Sequence, residues 1–188
     1  AKKYAGIGAS LVAHIKNTRT PFSIDFGVGD VIVPKQEKRK IPTQLDDFAS
    51  PTVNTYSLET TIAEKLDAIL DLMEFSSRMK DYYDIYYLAN KFDFDGKVLT
   101  EALKKTFENR GHTFTIEQFE QVMSFANDSA MQKKWKAFYR KIDTKTDDFN
   151  TVLKTIKQFL TKPFTAAVKD EKFTDQWYSN ENKWNKEI

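Results

Sequence analysis

Apolar residues alternate with small or polar ones at the start of the chain, and this pattern predicts a β-hairpin. In the first strand, residues 4–15, the apolar positions are Ile7, Ala9, Leu11, Ala13 and Ile15. A polar turn follows over residues 17–20, and Pro21 can open the returning strand. In that strand the apolar positions are Phe22, Ile24 and Phe26. We therefore predict an antiparallel hairpin with one buried face.

Beyond residue 55 the apolar spacing changes from two to between three and four, which predicts helices. Two consecutive helices span residues 56–88 and join at residues 75–77. The first has an apolar arc made of Leu58, Ile62, Leu66, Ile69, Leu72 and Met73. A third helix ends at Gly111, and Thr115 can cap a fourth. We therefore expect a mainly helical second half.

The rest of the chain predicts three more helices. One carries apolar residues at core spacing, namely Trp135, Phe138, Tyr139 and Ile142. Another is capped by Asp147 or Asp148 and ends near Pro163. The last twenty-five residues predict a terminal helix. The resulting fold class is α+β, with a β portion over residues 1–55 and an α-helical domain over residues 56–188.

Composition narrows the class of protein only slightly. The chain has 188 residues, 40% of them hydrophobic and 14% aromatic, which is enough to bury a core. The net charge of +2 does not by itself indicate a nucleic-acid partner. There is no cysteine, so disulfides and thiolate zinc sites are excluded. No apolar run approaches the length of a membrane span, and no signal peptide is evident, so we expect a soluble, cytoplasmic protein.

Two basic stretches leave an RNA contact open. Residues 35–40 form a basic loop, for which solvation by water is the simpler explanation. The predicted helix around Trp135 mixes aromatic residues with lysines and arginine, a combination also found in RNA-binding surfaces. Its aromatic residues recur at helical core spacing, which favours a packing role.

Charged residues on the apolar faces of the two central helices are the main anomaly. Lys65 falls inside the apolar arc of the first helix. Asp81 shares one side of the second helix with Ile85 and Leu88. A charge directed at an apolar face is costly unless it is paired or used.

Structural explanations remain open for each of these charges. Lys80 and Asp84, four residues apart, can form a solvated pair on the helix surface. Asp81 can answer the helix dipole, with Ser77 as the N-cap. Lys65 can extend its ammonium group to water along its aliphatic stem.

The stretch containing these charges reads YSLETTIAEKLDAIL followed by SRMKDYYDIYYLA, with FSIDFGVGDVIVP upstream and LTEALKKTFENRG downstream. In these motifs and in their order, the chain resembles the C-terminal portion of the AbiEii/AbiGii toxin family of nucleotidyltransferases. The resemblance covers about residues 4–111. The hairpin then corresponds to part of a nucleotidyltransferase-type sheet.

The resemblance implies roles for six residues. Asp25 matches a metal-binding carboxylate, and Lys65 matches a lysine that meets the nucleotide phosphates. Asp81 and Asp84 match the last motif, and we favour Asp81 as catalytic because Asp84 has a pairing explanation with Lys80. Together with Lys65, three residues are expected to assist nucleotide binding: Arg78, Lys80 and Asp84.

The sequence departs from the family upstream. The Gly-Gly-Ser/Thr motif and the Asp-x-Asp pair of the family are missing, and Asp25 is the first acidic residue. One carboxylate does not make a two-metal site. We therefore expect the chain to be the C-terminal two-thirds of a longer enzyme and to be inactive alone. We also expect strand 4–15, with one edge unpaired, to bind the missing N-terminal half or to self-associate.

Two functions follow. By resemblance, the chain is part of a toxin that transfers NMP from an NTP to RNA, with tRNA as the expected acceptor and Mg²⁺ as the cofactor. The family belongs to toxin–antitoxin and phage-defence systems, in which a cognate antitoxin is the partner. The alternative is a non-catalytic helical module that binds RNA or a protein.

Overall fold

The chain folds into two compact units, Ala1–Val31 and Ile32–Ile188, and each is described by itself. The computed structural model describes residues 6–142 and 147–186. In these ranges the first unit holds two long strands, and the second holds helices with small antiparallel sheets. The predicted α+β class is confirmed. The boundary between residues 55 and 56 stays a prediction.

The first unit is a hairpin of β1 (Gly6–Ile15) and β2 (Thr18–Gly27). The strands are joined by two residues, 16 and 17, and Lys16 has a φ of 51°. This turn is shorter than predicted, because a two-residue turn with positive φ matches the twist of the strands. Pro21 lies inside β2 rather than at its start, a position that an edge strand tolerates.

The hairpin has one apolar and one polar face. The register places Ile7 opposite Phe26 and Leu11 opposite Phe22, so the predicted faces are confirmed. The predicted burial of the apolar face is wrong, since Ile7 is 68% exposed and Phe26 is 51% exposed. A two-stranded hairpin has no second layer of its own to cover a face.

The second unit opens with a smaller hairpin of β3 (Glu37–Lys40) and β4 (Thr52–Thr55). The sequence predicted a basic loop over residues 35–40. The two segments instead pair with each other, Glu37 opposite Thr55. The charged side chains of β3 remain largely exposed, which agrees with the expectation that water solvates this stretch.

Hydrogen bonds attach the chain around Val33 to the start of the first helix, α1 (Leu58–Leu72). The backbone N–H of Val33 donates to Oγ1 of Thr60 at 2.8 Å, and the Val33 carbonyl accepts from the Thr60 and Ser57 hydroxyls. Ser57 is also the N-cap of α1 and accepts from the backbone N–H of Thr60. Both hydroxyls are buried, so their hydrogen bonds are costly to leave unmade.

Six α-helices occur in the described residues, and the first five lie close to their predicted positions. After α1 and a short 3₁₀ turn (Met73–Phe75), the helices are α2 (Met79–Lys91), α3 (Gly96–Arg110), α4 (Ile116–Ser124), α5 (Ser129–Tyr139) and α6 (Phe149–Lys169). Gly111, with φ 66°, ends α3 as predicted, and Thr115 caps α4 in a capping box with Gln118. Asp148 rather than Asp147 caps α6. Within the described ranges no helix combines the length and hydropathy needed to cross a bilayer.

The predicted Ser77 cap of α2 and the predicted core face of α5 need correction. Arg78 is the N-cap residue of α2, and its side chain makes no cap hydrogen bond. In α5, Trp135 is buried as predicted, whereas Tyr139 is 39% exposed. Ile142 lies beyond the end of that helix.

The helix predicted to stop near Pro163 continues through it to Lys169. A proline inside a helix lacks the N–H that would donate to the carbonyl four residues earlier, here the carbonyl of Phe159. The indole Nε1 of Trp184 donates to that carbonyl at 2.8 Å. A residue from the end of the chain thus replaces the missing hydrogen bond, which explains why the helix continues.

The end of the chain forms strands rather than the predicted helix. β6 (Gln176–Tyr178) pairs with both β5 (Phe94–Asp95) and β7 (Lys183–Asn185). Trp177, fully buried, donates its indole N–H to the Ala89 carbonyl at 2.7 Å. The indole N–H groups of Trp177 and Trp184 need hydrogen-bond acceptors in other elements of the fold, and a solvent-exposed amphipathic helix would not provide them.

The core of the second unit lies where α1, α2, α3 and α6 pack together. Its largest fully buried side chains belong to helices and to the terminal sheet: Trp177, Tyr82, Phe119, Phe159, Phe164, Ile62, Leu66, Ile69, Leu70, Ile85, Leu99 and Leu103. The Phe159 ring stacks on Trp184 and contacts Trp177 with ring centroids 4.9 Å apart. Aromatic packing therefore joins α6 to the terminal strands.

The hydrogen bond from Trp184 to Phe159 predicts coupling between Trp184 and Pro163. We expect Trp184→Phe to lower the free energy of unfolding by about 1–2 kcal/mol, since the Phe159 carbonyl loses its donor. In a Pro163→Ala background the new backbone N–H can donate instead, so the same substitution should cost less. Urea unfolding of the four proteins of this cycle measures the difference. An equal cost in both backgrounds would contradict the explanation.

Candidate functional site

Lys65 lies on α1, on the side that faces α2. Its neighbours in the predicted apolar arc, Ile62, Leu66 and Ile69, are buried as expected. The Lys65 side chain is 19% exposed, so most of its stem is removed from water. The helical spacing that buries the arc therefore also carries the ammonium group inwards.

The Lys65 ammonium is paired with two carboxylates of α2. Its Nζ lies 3.0 Å from Oδ1 of Asp81 and 2.6 Å from Oδ2 of Asp84. Burial by itself would lower the pKa of Lys65, but the hydrogen bonds with Asp84 and Asp81 outweigh it, so the pKa is raised. Lys65 thus stays protonated at neutral pH, and the explanation in which it only extends to water is insufficient.

Asp81 is the most deeply buried charge of this group, with a side chain 4% exposed. Its Oδ2 accepts from Nε of Arg78 at 2.6 Å, and its Oδ1 accepts from Lys65. A carboxylate buried without partners would be strongly unfavourable, and two cations compensate it here. Asp81 also lies in the first turn of α2, where the helix dipole favours a negative charge.

Asp84 belongs to the same group. Its Oδ2 accepts from Lys80 at 2.6 Å, which is the surface pair expected from the sequence, and it contacts Lys65 as well. The Asp84 side chain is 18% exposed and lies beside the shared ammonium. A surface pair with Lys80 therefore describes only part of its role.

These five residues form what we call the Lys65 cluster: Lys65, Arg78, Lys80, Asp81 and Asp84. Three cations face two carboxylates, which leaves one positive charge in excess. Arg78 is 59% exposed and Lys80 is 71% exposed, so the excess charge is accessible to solvent. The arrangement suits a bound anion better than a cation. Five of the six residues singled out from the sequence thus lie together.

Asp25, the sixth, lies on β2 in the first unit, on the polar face of the hairpin and opposite Gly8. Among the described residues no group of three histidine, cysteine, aspartate or glutamate side chains is arranged to hold a metal ion. A divalent metal in a protein needs several oxygen ligands, and Asp25 supplies one carboxylate. The described residues therefore do not fit a complete Mg²⁺ site.

A second cluster of charges, which the sequence did not point to, joins α1 to the end of α3. Asp67, almost fully buried, accepts from Arg110 at 2.7 Å and lies 2.9 Å from Nδ1 of His112. Arg110 also contacts Glu64. Burial raises the pKa of Asp67 to about 6, while the hydrogen bond with His112 acts in the opposite direction.

Asp67 contacts residues 43 and 45 positions further along the chain, so spacing along one helix does not reveal this second cluster. The available signal was Asp67 itself, an acidic residue next to the apolar arc. The contacts within the cluster satisfy its charges and join two helices. They give it a structural role.

Comparison with known protein families identifies the family of this chain. The family model described as nucleotidyl transferase AbiEii toxin of the type IV toxin–antitoxin system matches residues 2–170. The chain therefore belongs to the AbiEii family of nucleotidyltransferase toxins. Comparisons with curated proteins and with solved structures gave no significant match.

The contrast between Asp81 and Asp84 is testable by stability. We expect Asp81→Asn to lower the free energy of unfolding by about 1.5–3 kcal/mol, because a neutral amide cannot balance two cations in a buried place. The same change at Asp84 should cost about 1 kcal/mol or less, since its second partner Lys80 is exposed. Urea unfolding of both variants measures the two losses of unfolding free energy. A larger loss from Asp84→Asn would contradict the assignment of Asp81 as the central charge.

Proposed function

We propose that this chain binds the triphosphate of an NTP at the Lys65 cluster, as part of a toxin that transfers NMP to RNA. The observation that carries the proposal is the Lys65 ammonium, which is held by two carboxylates and has the exposed cations Arg78 and Lys80 beside it. tRNA is the proposed acceptor. That choice follows from the resemblance to the family rather than from any contact in the fold.

The contacts of Lys65 suggest how the cluster would act on a nucleotide. An ammonium group has three N–H donors, and Asp81 and Asp84 accept two of them, which leaves one without a partner among the described residues. The two carboxylates hold the ammonium in place before a ligand arrives. A pre-positioned donor can stabilise charge on a phosphate oxygen without reorganisation during the reaction.

Arg78 and Lys80 would extend the phosphate contact. Each uses part of its hydrogen-bonding capacity on a carboxylate of the cluster. The remaining N–H groups of the Arg78 guanidinium are available for a phosphate, and this group recognises phosphate oxygens in a planar, bidentate manner. Asp81 and Asp84 then act as positioning residues for the three cations.

Metal use is proposed from the family rather than from the site. In nucleotidyl transfer a divalent ion such as Mg²⁺ binds the triphosphate and activates the attacking hydroxyl. We keep Asp25 as a proposed ligand. Because the described residues do not fit a complete site, we derive no step through the metal.

The remaining parts of the proposal concern biological context. A role in phage defence, a cognate antitoxin as partner and a cytoplasmic location are proposed from family membership. The competing proposal is a non-catalytic helical module that binds RNA or a protein partner. It is favoured by the single carboxylate, Asp25, at the expected metal position.

Nucleotide binding separates the two proposals. We expect Lys65→Met to weaken binding of Mg²⁺-NTP at least about tenfold, because one charge-assisted hydrogen bond to phosphate is lost. Isothermal titration with each of the four NTPs measures the affinity, and circular dichroism verifies the fold. Lys154→Met, an exposed lysine on α6, is the matched control and should bind as the wild type does. Equal affinities in all three proteins would support the non-catalytic module.

Catalysis is tested by transfer of label from each α-labelled NTP to total tRNA in the presence of Mg²⁺. Label that depends on Lys65 would establish transfer by this chain alone and would refute the expectation of an incomplete metal site. Nucleotide binding without transfer is the outcome that we expect. It would indicate that the phosphate contacts are present and that further carboxylates are required.

The apolar face of the first unit supports the proposed self-association. β1 pairs with β2 along one edge, and no strand of the described residues pairs with its other edge. An edge strand with exposed apolar side chains is prone to pair with another chain. A second copy that paired there would extend both the sheet and its apolar face.

Sedimentation over a range of concentrations tests this association. We expect wild-type chains to associate as concentration rises and Leu11→Lys to reduce the association, because the charge interrupts the shared apolar face. Val12→Lys places the same charge on the polar face, at a residue of similar exposure, and should have a smaller effect. A wild-type chain that stays monomeric at high concentration would refute the proposal.

A further inference from the structure

The connection between α1 and α2 is held by a lysine from a distant helix. Lys134 lies on α5, and its Nζ is 2.8 Å from the carbonyl oxygen of Glu74 and 3.0 Å from that of Ser76. These carbonyls follow the end of α1, where backbone acceptors lack helical donors. A lysine ammonium is a suitable partner for carbonyls at a helix C-terminus.

This connection has little internal support. Met73 has a φ of 48°, a backbone conformation that residues other than glycine rarely adopt. The backbone N–H of Ser76 donates to the Met73 carbonyl in a single 3₁₀ turn. Phe75 is 83% exposed, so packing does not hold this part of the turn. We therefore expect the two hydrogen bonds from Lys134 to stabilise the conformation of this connection.

The connection leads directly into the Lys65 cluster. The Ser76 hydroxyl, which is buried, accepts from the backbone N–H of Arg78 at 3.1 Å. Arg78 then binds Asp81, and Asp81 binds Lys65. The Lys134 ammonium thus fixes the backbone from which the exposed guanidinium of the cluster projects.

We propose that Lys134 is a positioning residue for nucleotide binding, acting through the Ser76–Arg78 backbone. The inference rests on the proposed function of the Lys65 cluster. Lys134 has its ammonium engaged with two carbonyl groups, so its contribution is to set where Arg78 meets the phosphates. A misplaced guanidinium would lose its planar contact with phosphate oxygens.

The test compares nucleotide affinities of lysine variants on α5. Lys134→Met keeps the aliphatic stem but removes the ammonium, and we expect at least about fivefold weaker binding of Mg²⁺-ATP. Lys133→Met removes the same charge from the preceding, exposed lysine and should leave the affinity unchanged. Lys134→Arg keeps cationic donors near the carbonyls and should restore most of the binding.

A double-mutant cycle with Arg78→Ala separates positioning from a direct or a purely structural role. If Lys134 acts through Arg78, Lys134→Met should weaken ATP binding about twofold or less once Arg78 is absent. Full additivity of the two substitutions would overturn the inference. If Lys134→Met does not fold, Lys134→Gln, which removes the charge but keeps an amide NH2 group as donor, takes its place in the same cycle.

The outcomes also distinguish this inference from the proposed function. Binding that depends on Lys65 but is unaffected by Lys134→Met would overturn the inference alone. A wild-type chain that binds no NTP would overturn both. Three results together would establish Lys134 as a positioning residue. Lys134→Met binds ATP more weakly, Lys134→Arg recovers most of the affinity, and Lys134→Met causes little further loss in the Arg78→Ala background.

Discussion

The burial of the Asp81 carboxylate is the constraint on which the site depends. A charge at that depth requires compensation, and Lys65 from α1 and Arg78 from the start of α2 provide it. The two helices are thereby fixed at the point where their ammonium, guanidinium and carboxylate groups meet. Because each cation is held by a carboxylate, the excess positive charge is placed at a defined position rather than spread over a flexible surface.

The terminal strands of the second unit supply hydrogen-bond donors to two helices, α2 and α6. Trp177 donates to the carbonyl of Ala89 near the end of α2, where helical donors run out. Trp184 donates to the Phe159 carbonyl that Pro163 leaves without a partner. Trp177 is buried in the core, and the part-buried Trp184 packs against Phe159 and Trp177. The terminal strands thus complete the hydrogen bonding of two helices that carry much of the core.

Membership of the AbiEii family gives this arrangement a chemical context. Nucleotidyl transfer requires little covalent chemistry from the protein and depends on positioned charge. In the proposed function the Lys65 cluster would supply the positive charge that binds the triphosphate. Asp25 is the proposed metal ligand, and one carboxylate by itself does not make a metal site. The described residues therefore fit the proposed phosphate contact better than they fit a complete metal site, which is why an enzyme and a binding module remain the two competing proposals.

The sequence by itself determined the α+β class, the alternation of the hairpin and the positions of α1 to α4, because these follow from local periodicity and capping residues such as Thr115. It also pointed to Lys65 and Asp81, since charges within apolar faces are visible in one dimension. Only the tertiary structure decided that Asp84 shares Lys65, that Asp67 pairs with Arg110 and that α6 continues through Pro163. Each of these depends on partners far apart in sequence or on another element, such as Trp184. Local patterns carry no information about which distant group will supply a missing hydrogen bond or charge.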